Sequence, residues 1–436
     1  MPTERPTSTS PVAAVALSPR FGPTWWISLL LAGALVLLLA YTLVTVSAIG
    51  IGIWGVNIPF VWGFDLINYA WWIGIANGAS LFAAVLVLRR HDLRTSVNRF
   101  AEGAAFFAVI CAGIFPIFHL GRPWLFYWTF PYPATYEVWP QFRSTLTWDF
   151  WAISTHAIIT SLLWYVGLIP DLATLRDSAP RRSVKRIYGF FALGWRGSIR
   201  HWSYHQRAYR LVAILILPLI LVMQSTVAFE FAVTLVPDWH ETRQPLHFVA
   251  TGLAQGLSIV LLVAVLIRWG LRLGRYIDDG DLDLLGKLVL ASALVIGYLY
   301  LDEIAAALAS NAITRDATFN RITGEYAALY WGAVVFSVVV PQLFWMSSAR
   351  RSVIAGVFVA VAIGTGVWLD RSSIIVGGLQ SDYLPSIWRS YRPTFPEWSL
   401  FVGTLGLFAA LLLLFVRYLP VVSMFETRHD EHLEKT

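Results

Sequence analysis

Of the 436 residues 57% are hydrophobic and only 13% are charged, with a mean hydropathy of +0.63. A soluble domain carries roughly 25% charged residues, so a soluble globular class is excluded and a polytopic helical membrane protein remains. The net charge of +6 follows membrane topology rather than a nucleic-acid footprint. The lone Cys111 excludes an internal disulfide, a cysteine-ligated iron–sulfur cluster and a structural zinc site within the chain.

Residues 1–24, rich in Ser, Thr, Pro and Ala, read as a disordered tail. Ten apolar stretches follow, each near the roughly 20 residues that cross a bilayer. They lie at 25–50, 66–89, 100–119, 147–169, 209–234, 246–268, 284–310, 326–346, 352–374 and 397–419. The first is too long for the apolar part of a signal peptide and has no convincing cleavage site, so it counts as a membrane helix. Of the 32 Lys and Arg, 24 lie on the terminal side of the alternating connections and 8 on the other. The positive-inside rule then makes both termini cytoplasmic, including the tail 420–436. Many of the 21 Trp sit at span ends, as in an interfacial aromatic belt.

Three connections stand out. Residues 120–146, on the outer side, are Pro- and aromatic-rich, which predicts a segment lying on the membrane surface or over a cavity. Residues 170–208, on the cytoplasmic side, carry RRSVKR and GWRGSIRHWSYHQRAYR. They fit either a basic segment on anionic headgroups, anchored by Trp195, Trp202 and Tyr204, or a docking surface. His201 and His205 within them are four apart, a weak metal signal, and a solvated face is expected there. Residues 375–396, with Asp382, Arg389 and Arg392, suit contact with another subunit.

Ionisable groups where a span begins or ends are costly and need a task or a partner. His119 closes the third span and is followed by Arg122 and Trp124, and Asp149 opens the fourth. Glu230 lies about one turn before the outer end of the fifth, so three protonatable groups from consecutive helices share one depth. A carboxylate and an imidazole at a membrane surface form a simple device for taking two protons from a quinol. A polar network tying helix ends together is the competing reading. His156 lies two helical turns beyond Asp149 and reaches toward mid-membrane. Asp302 and Glu303, preceded by Tyr298 and Tyr300 in the seventh span, complete a candidate proton relay, with Glu102 near the inner end of the third. Asp370 and Arg371 read as an interfacial or salt-bridged pair. Cys111 suits inert packing, and Gly74 and Gly78 allow close helix approach. No pair of span histidines faces across helices as haem ligands, and no metal site is expected.

FPIFHLGRPW with WLFYWTFPYP, the WDFWA that contains Trp148 and Asp149, and FAVTLVPDWH resemble the NrfD/PsrC family of quinone-reactive membrane subunits. YVGLIPDLATLRD, RIYGFFALGWRGS and FVGTLGLF are similar to the branch that serves as the larger NrfD-like subunit of bacterial alternative complex III. The similarity runs from about residue 50 to 420. It implies an all-α bacterial plasma-membrane protein of ten transmembrane helices with two four-helix bundles, at 66–234 and 246–374, and peripheral helices at 25–50 and 397–419. It implies a quinol pocket, with menaquinol as substrate, near the outer face of the first bundle. There His119 and Asp149 match the family's His and Asp, and Glu230 stands where the family often has Asp, with Arg122 and Trp148 as neighbours. It implies partners: a periplasmic iron–sulfur subunit (ActB-like) that receives the electrons, a multihaem cytochrome c, a second NrfD-like subunit (ActF-like) and further small membrane subunits. The chain itself would hold neither haem nor iron–sulfur cluster. Two other readings stay open: an ion-coupled secondary transporter using Asp302 and Glu303, and a non-catalytic anchor subunit.

Overall fold

The computed structural model describes residues 22–89, 91–129, 145–380, 386 and 389–424. The secondary structure of those residues is helical throughout. With no water to satisfy backbone groups inside a bilayer, helices that close their own hydrogen bonds are the solution open to such a sequence. Among the described residues ten helices are long and apolar enough to cross. Spans one to five are α1 (Pro23–Ile49), α2 (Phe64–Arg89), α3 (Leu93–His119), α4 (Thr145–Ser178) and, after a short α5 (Arg182–Phe191), α6 (Ile199–Ala232). Spans six and seven are α7 (Gln244–Gly270) and α8 (Asp279–Ala309), and α9 (Ala312–Thr323) follows them. Span eight is broken: α10 (Ala327–Val334) passes into a π turn (Val335–Val339) and a 3-10 segment (Val340–Trp345). Pro341 cannot donate to the helical ladder, and the backbone changes pitch around it. Span nine is α11 (Val353–Ser372), which continues through a second π turn (Ser373–Gly377). Span ten is α12 (Phe395–Tyr418).

Helices α2, α3, α4 and α6 touch in a ring, and α7, α8, span eight and α11 form a second ring. Helix α1 packs on α12, which leans on α3. The rings meet along α2 and α7, and glycine allows the contact. A Cβ on Gly78 would sit 2.0 Å from the Gly252 carbonyl oxygen, and one on Gly256 would sit 2.1 Å from the Gly78 carbonyl carbon. Gly74 and Gly78 thus bring two backbones together, the arrangement that stabilises helix pairs where no hydrophobic driving force exists. Gly403 and Gly406 do the same for α12 against Leu39 and Leu35 of α1.

Two departures from the sequence reading concern the Lys- and Arg-rich side, called inner below. The connection at 170–208 is mostly helix: α4 runs on to Ser178 and α6 starts at Ile199. His205 therefore lies on a helix face against α4 and is buried, not solvated. Its Nε2 donates to the Val166 carbonyl at 2.8 Å, and its ring stacks on Trp202. The tail expected from residue 420 also begins inside the protein, because Val421, Val422, Ser423 and Met424 are buried. The Met424 N–H donates to Asp171 at 3.1 Å. The expectations for residues 1–21, 130–144, 381–385 and 425–436 lie outside the described residues.

Gly78→Leu should destabilise by more than the ~1–3 kcal/mol of ordinary overpacking, because the clash is with backbone. Gly33→Leu, where a Cβ meets nothing within 4 Å, should be close to neutral. Thermal melting of the two variants in detergent compares them directly, and equal melting temperatures would refute the close contact.

Candidate functional site

Below, outer means the side poor in Lys and Arg. Asp65, in the first turn of α2, pairs its Oδ2 with His119 Nδ1 at the end of α3. Trp62 stacks on the imidazole, with centroids 4.0 Å apart and planes at 14°. One helical turn below Asp65, the Tyr69 hydroxyl donates to Asp149 Oδ1 at the start of α4. Trp62, Asp65, Tyr69, Phe115, His119 and Asp149 enclose one cavity of about 20 Å³, room for about one water molecule. Glu230 of α6 stands against Asp149. Both are buried, and among the described residues neither meets a Lys or Arg. Glu230 Oε1 is buried without a hydrogen-bond partner. Two facing carboxyl groups in a dry site hold a proton more readily than two charges. With Nδ1 of His119 engaged by Asp65, Nε2 is the nitrogen left to exchange a proton with a ligand.

Below this rim the buried polar side chains form two further layers. At mid-depth Ser80 lies 3.3 Å from His156 Nε2 and 3.4 Å from Thr160. Asn77 donates to Gln224, which itself donates to the Phe248 carbonyl at 2.9 Å. At the inner end Arg99 pairs with Asp171 at 3.0 Å and with Glu102 at 3.6 Å. Tyr209 and Asn98 both donate to Glu102. From Thr160 to Asp171 is about 16 Å along α4, and that stretch buries Leu163 and Leu168. Arg99 and Glu102 lie against Gly167 within that stretch, so the inner layer begins about 10 Å from Thr160.

The outer half of the second ring carries more charge, and the acids named here are matched. Asp370 accepts from Tyr300 at 2.8 Å, lies 3.0 Å from His247 Nε2 and pairs with Arg371 at 2.7 Å. Arg371 also donates to Thr251 and lies 3.6 Å over the Phe248 ring. Arg243 pairs with Asp302 at 3.3 Å. Arg321 of α9 pairs with Glu303 and, at 3.1 Å, with Asp238 in the connection before α7. Burial pushes the Asp238 carboxyl up, opposed by the Arg321 guanidinium. Burial alone would lower Arg321, yet Asp238 and Glu303 hold it above its ordinary value.

The structure thus brings His119, Asp149 and Glu230 to one place. Arg122 is exposed and is not part of the cavity wall, and Trp148 turns toward a cleft beside it. His156 sits in the middle layer. Asp302 and Glu303 each have an arginine, Tyr300 binds Asp370, and Tyr298 is 65% exposed, away from Tyr300's network. The Asp370–Arg371 pair is salt-bridged and fully buried rather than interfacial. Sequence reasoning missed Asp65, Tyr69, Arg99 and Asp171. The signal for Asp65 was present: it opens span two as Asp149 opens span four, and Tyr69 lies one turn away on the same face.

Comparison with known proteins places these observations. The chain matches the family described as "Polysulphide reductase, NrfD" over residues 54–381. It is 24% identical over 397 residues to the C subunit of the selenate reductase of Mesobacillus selenatarsenatis, covering 86% of this chain and 89% of that one. It is also 24% identical over 413 residues to the C-type membrane subunit of a putative dimethyl sulfoxide reductase of Halobacterium salinarum, covering 86% and 88%.

Removing one partner of a buried ion pair costs about 3–5 kcal/mol because a charge is left uncompensated. Arg321→Gln strands both Asp238 and Glu303 and should lower the melting temperature clearly, whereas exposed Arg122→Gln should not. An Arg321→Gln protein that melts like the parent would show that Arg321 does not neutralise these acids.

Proposed function

The chain belongs to the NrfD family, and from that premise we propose that it binds and oxidises a quinol at the outer rim of its first ring. Subunits of this family are the membrane components of redox complexes and partner with iron–sulfur subunits. The observation that carries the reading is the pairing of two proton acceptors on one cavity: His119, held by Asp65, and Asp149, backed by Glu230. Quinol oxidation releases two protons and two electrons. His119 Nε2 takes one hydroxyl proton, and the Asp65 carboxylate stabilises the imidazolium that forms. Asp149 takes the second and shares it with Glu230, while Tyr69 fixes the carboxyl's orientation. The electrons leave to a redox centre held by a partner, and the protons leave to the outer side.

The finer assignment rests on the motif resemblance. The chain would act as ActC of an alternative complex III, oxidising menaquinol and passing electrons to the ActB-like iron–sulfur subunit. Proton translocation through the second ring is weakly supported, because Asp302 and Glu303 are each tied to an arginine. The same ion pairs weigh against a transporter that uses them as coupling-ion ligands. They suit a structural role instead.

In the assembled complex Asp149→Asn should lower quinol oxidation by about 10²-fold or more, the usual worth of a general base. His119→Ala should lose quinol binding as well. Asp65→Asn should reduce turnover while leaving assembly intact. Quinol-dependent reduction of the natural acceptor measures all three, and parent-like turnover in an assembled Asp149→Asn complex would leave the anchor reading standing instead.

A further inference from the structure

The cavity beside His119 is far too small for a quinol ring, so the substrate needs a way in. A second, wider cavity of about 460 Å³ lies between α4 and α6, on the same two helices that carry Asp149 and Glu230. Its volume falls in the range of ligand pockets, roughly 300–1,000 Å³. Trp148, Trp151, Ala152 and Thr155 form one wall at helical spacing, and Met223, Thr226 and Phe229 form the other. Among the described residues its lining carries no charged side chain, and the Thr226 hydroxyl is already bonded to the Val222 carbonyl. Trp151 and Phe229 are each 45% exposed on this side. Trp148 and Phe229, which line it, are the chain neighbours of Asp149 and Glu230.

We infer that the cleft between α4 and α6 is the binding groove for the isoprenoid tail of the quinol, and that the ring reaches the carboxyl pair from it. This rests on the proposed quinol oxidation and adds the substrate's route and the seat of its tail. A smooth lipid-facing helix pair needs no cavity of this size, since acyl chains pack on it as readily as leucine does. An uncharged groove would exclude water-soluble reductants and accept a substrate dissolved in the bilayer. Its walls are the two helices that carry the proposed proton acceptors.

The test compares two quinols, one with a long isoprenoid tail and one tail-less ring, on the purified complex containing this chain. Ala152→Phe and Thr226→Phe fill the cleft from either wall. The ratio of kcat/KM for the tailed over the tail-less quinol should fall about tenfold, equivalent to losing roughly two buried methylene contacts. An unchanged ratio overturns the groove and leaves it to a phospholipid acyl chain. A parent complex that oxidises neither quinol defeats the proposed function itself, which separates the two failures. If the variants do not assemble, a quinone with a photoreactive group in its tail decides the matter on the parent complex. Labelling should fall within 148–155 and 223–233, and labelling only elsewhere overturns the inference.

Discussion

A carboxylate in a bilayer persists only beside a cation or by keeping a proton. That constraint separates the parts of this protein by task. In the second ring the outer acids meet it with cations: Asp370 has Arg371, Glu303 and Asp238 share Arg321, and Asp302 has Arg243. At the inner end of the first ring Arg99 serves Asp171 and Glu102. Asp149 and Glu230 differ. They face each other with a tyrosine and an imidazole nearby and, among the described residues, no Lys or Arg.

The same contrast explains where rigidity and access lie. Arginine pairs fix the second ring and its link to α9, and backbone contact through Gly78, Gly252 and Gly256 fixes α2 to α7. Helix α2 carries Asp65 and Tyr69, so the glycine seam also sets the position of half the rim. The cleft between α4 and α6 lies on the other half, away from that seam, where the wall is apolar and partly exposed.

Below the rim the first ring holds two further polar groups. Ser80, His156 and Thr160 lie at mid-depth, and Glu102, Arg99 and Asp171 lie at the inner end, where Arg99 and Glu102 reach Gly167 of α4. The inner group is in turn covered by Met424, whose backbone caps Asp171.

The sequence alone determined that this is a helical membrane protein with ten crossings, because apolar stretches near 20 residues have few other uses and the connections between most of them are short. It also singled out His119, Asp149 and Glu230, since a charge at the edge of an apolar span is conspicuous whatever surrounds it. What it left undetermined is the identity of partners. Asp65 is 54 residues from His119, Tyr69 is 80 from Asp149, and Arg321 is 18 from Glu303. Neutralisation acts through space over a few ångströms, and no local pattern encodes which distant helix supplies the counter-group. Only the closing of the first ring, with α2 packed on α3 and Tyr69 reaching across to α4, made Asp65 and Tyr69 part of the rim. Only the packing of α9 against α8 turned Glu303 from a relay candidate into half of an ion pair.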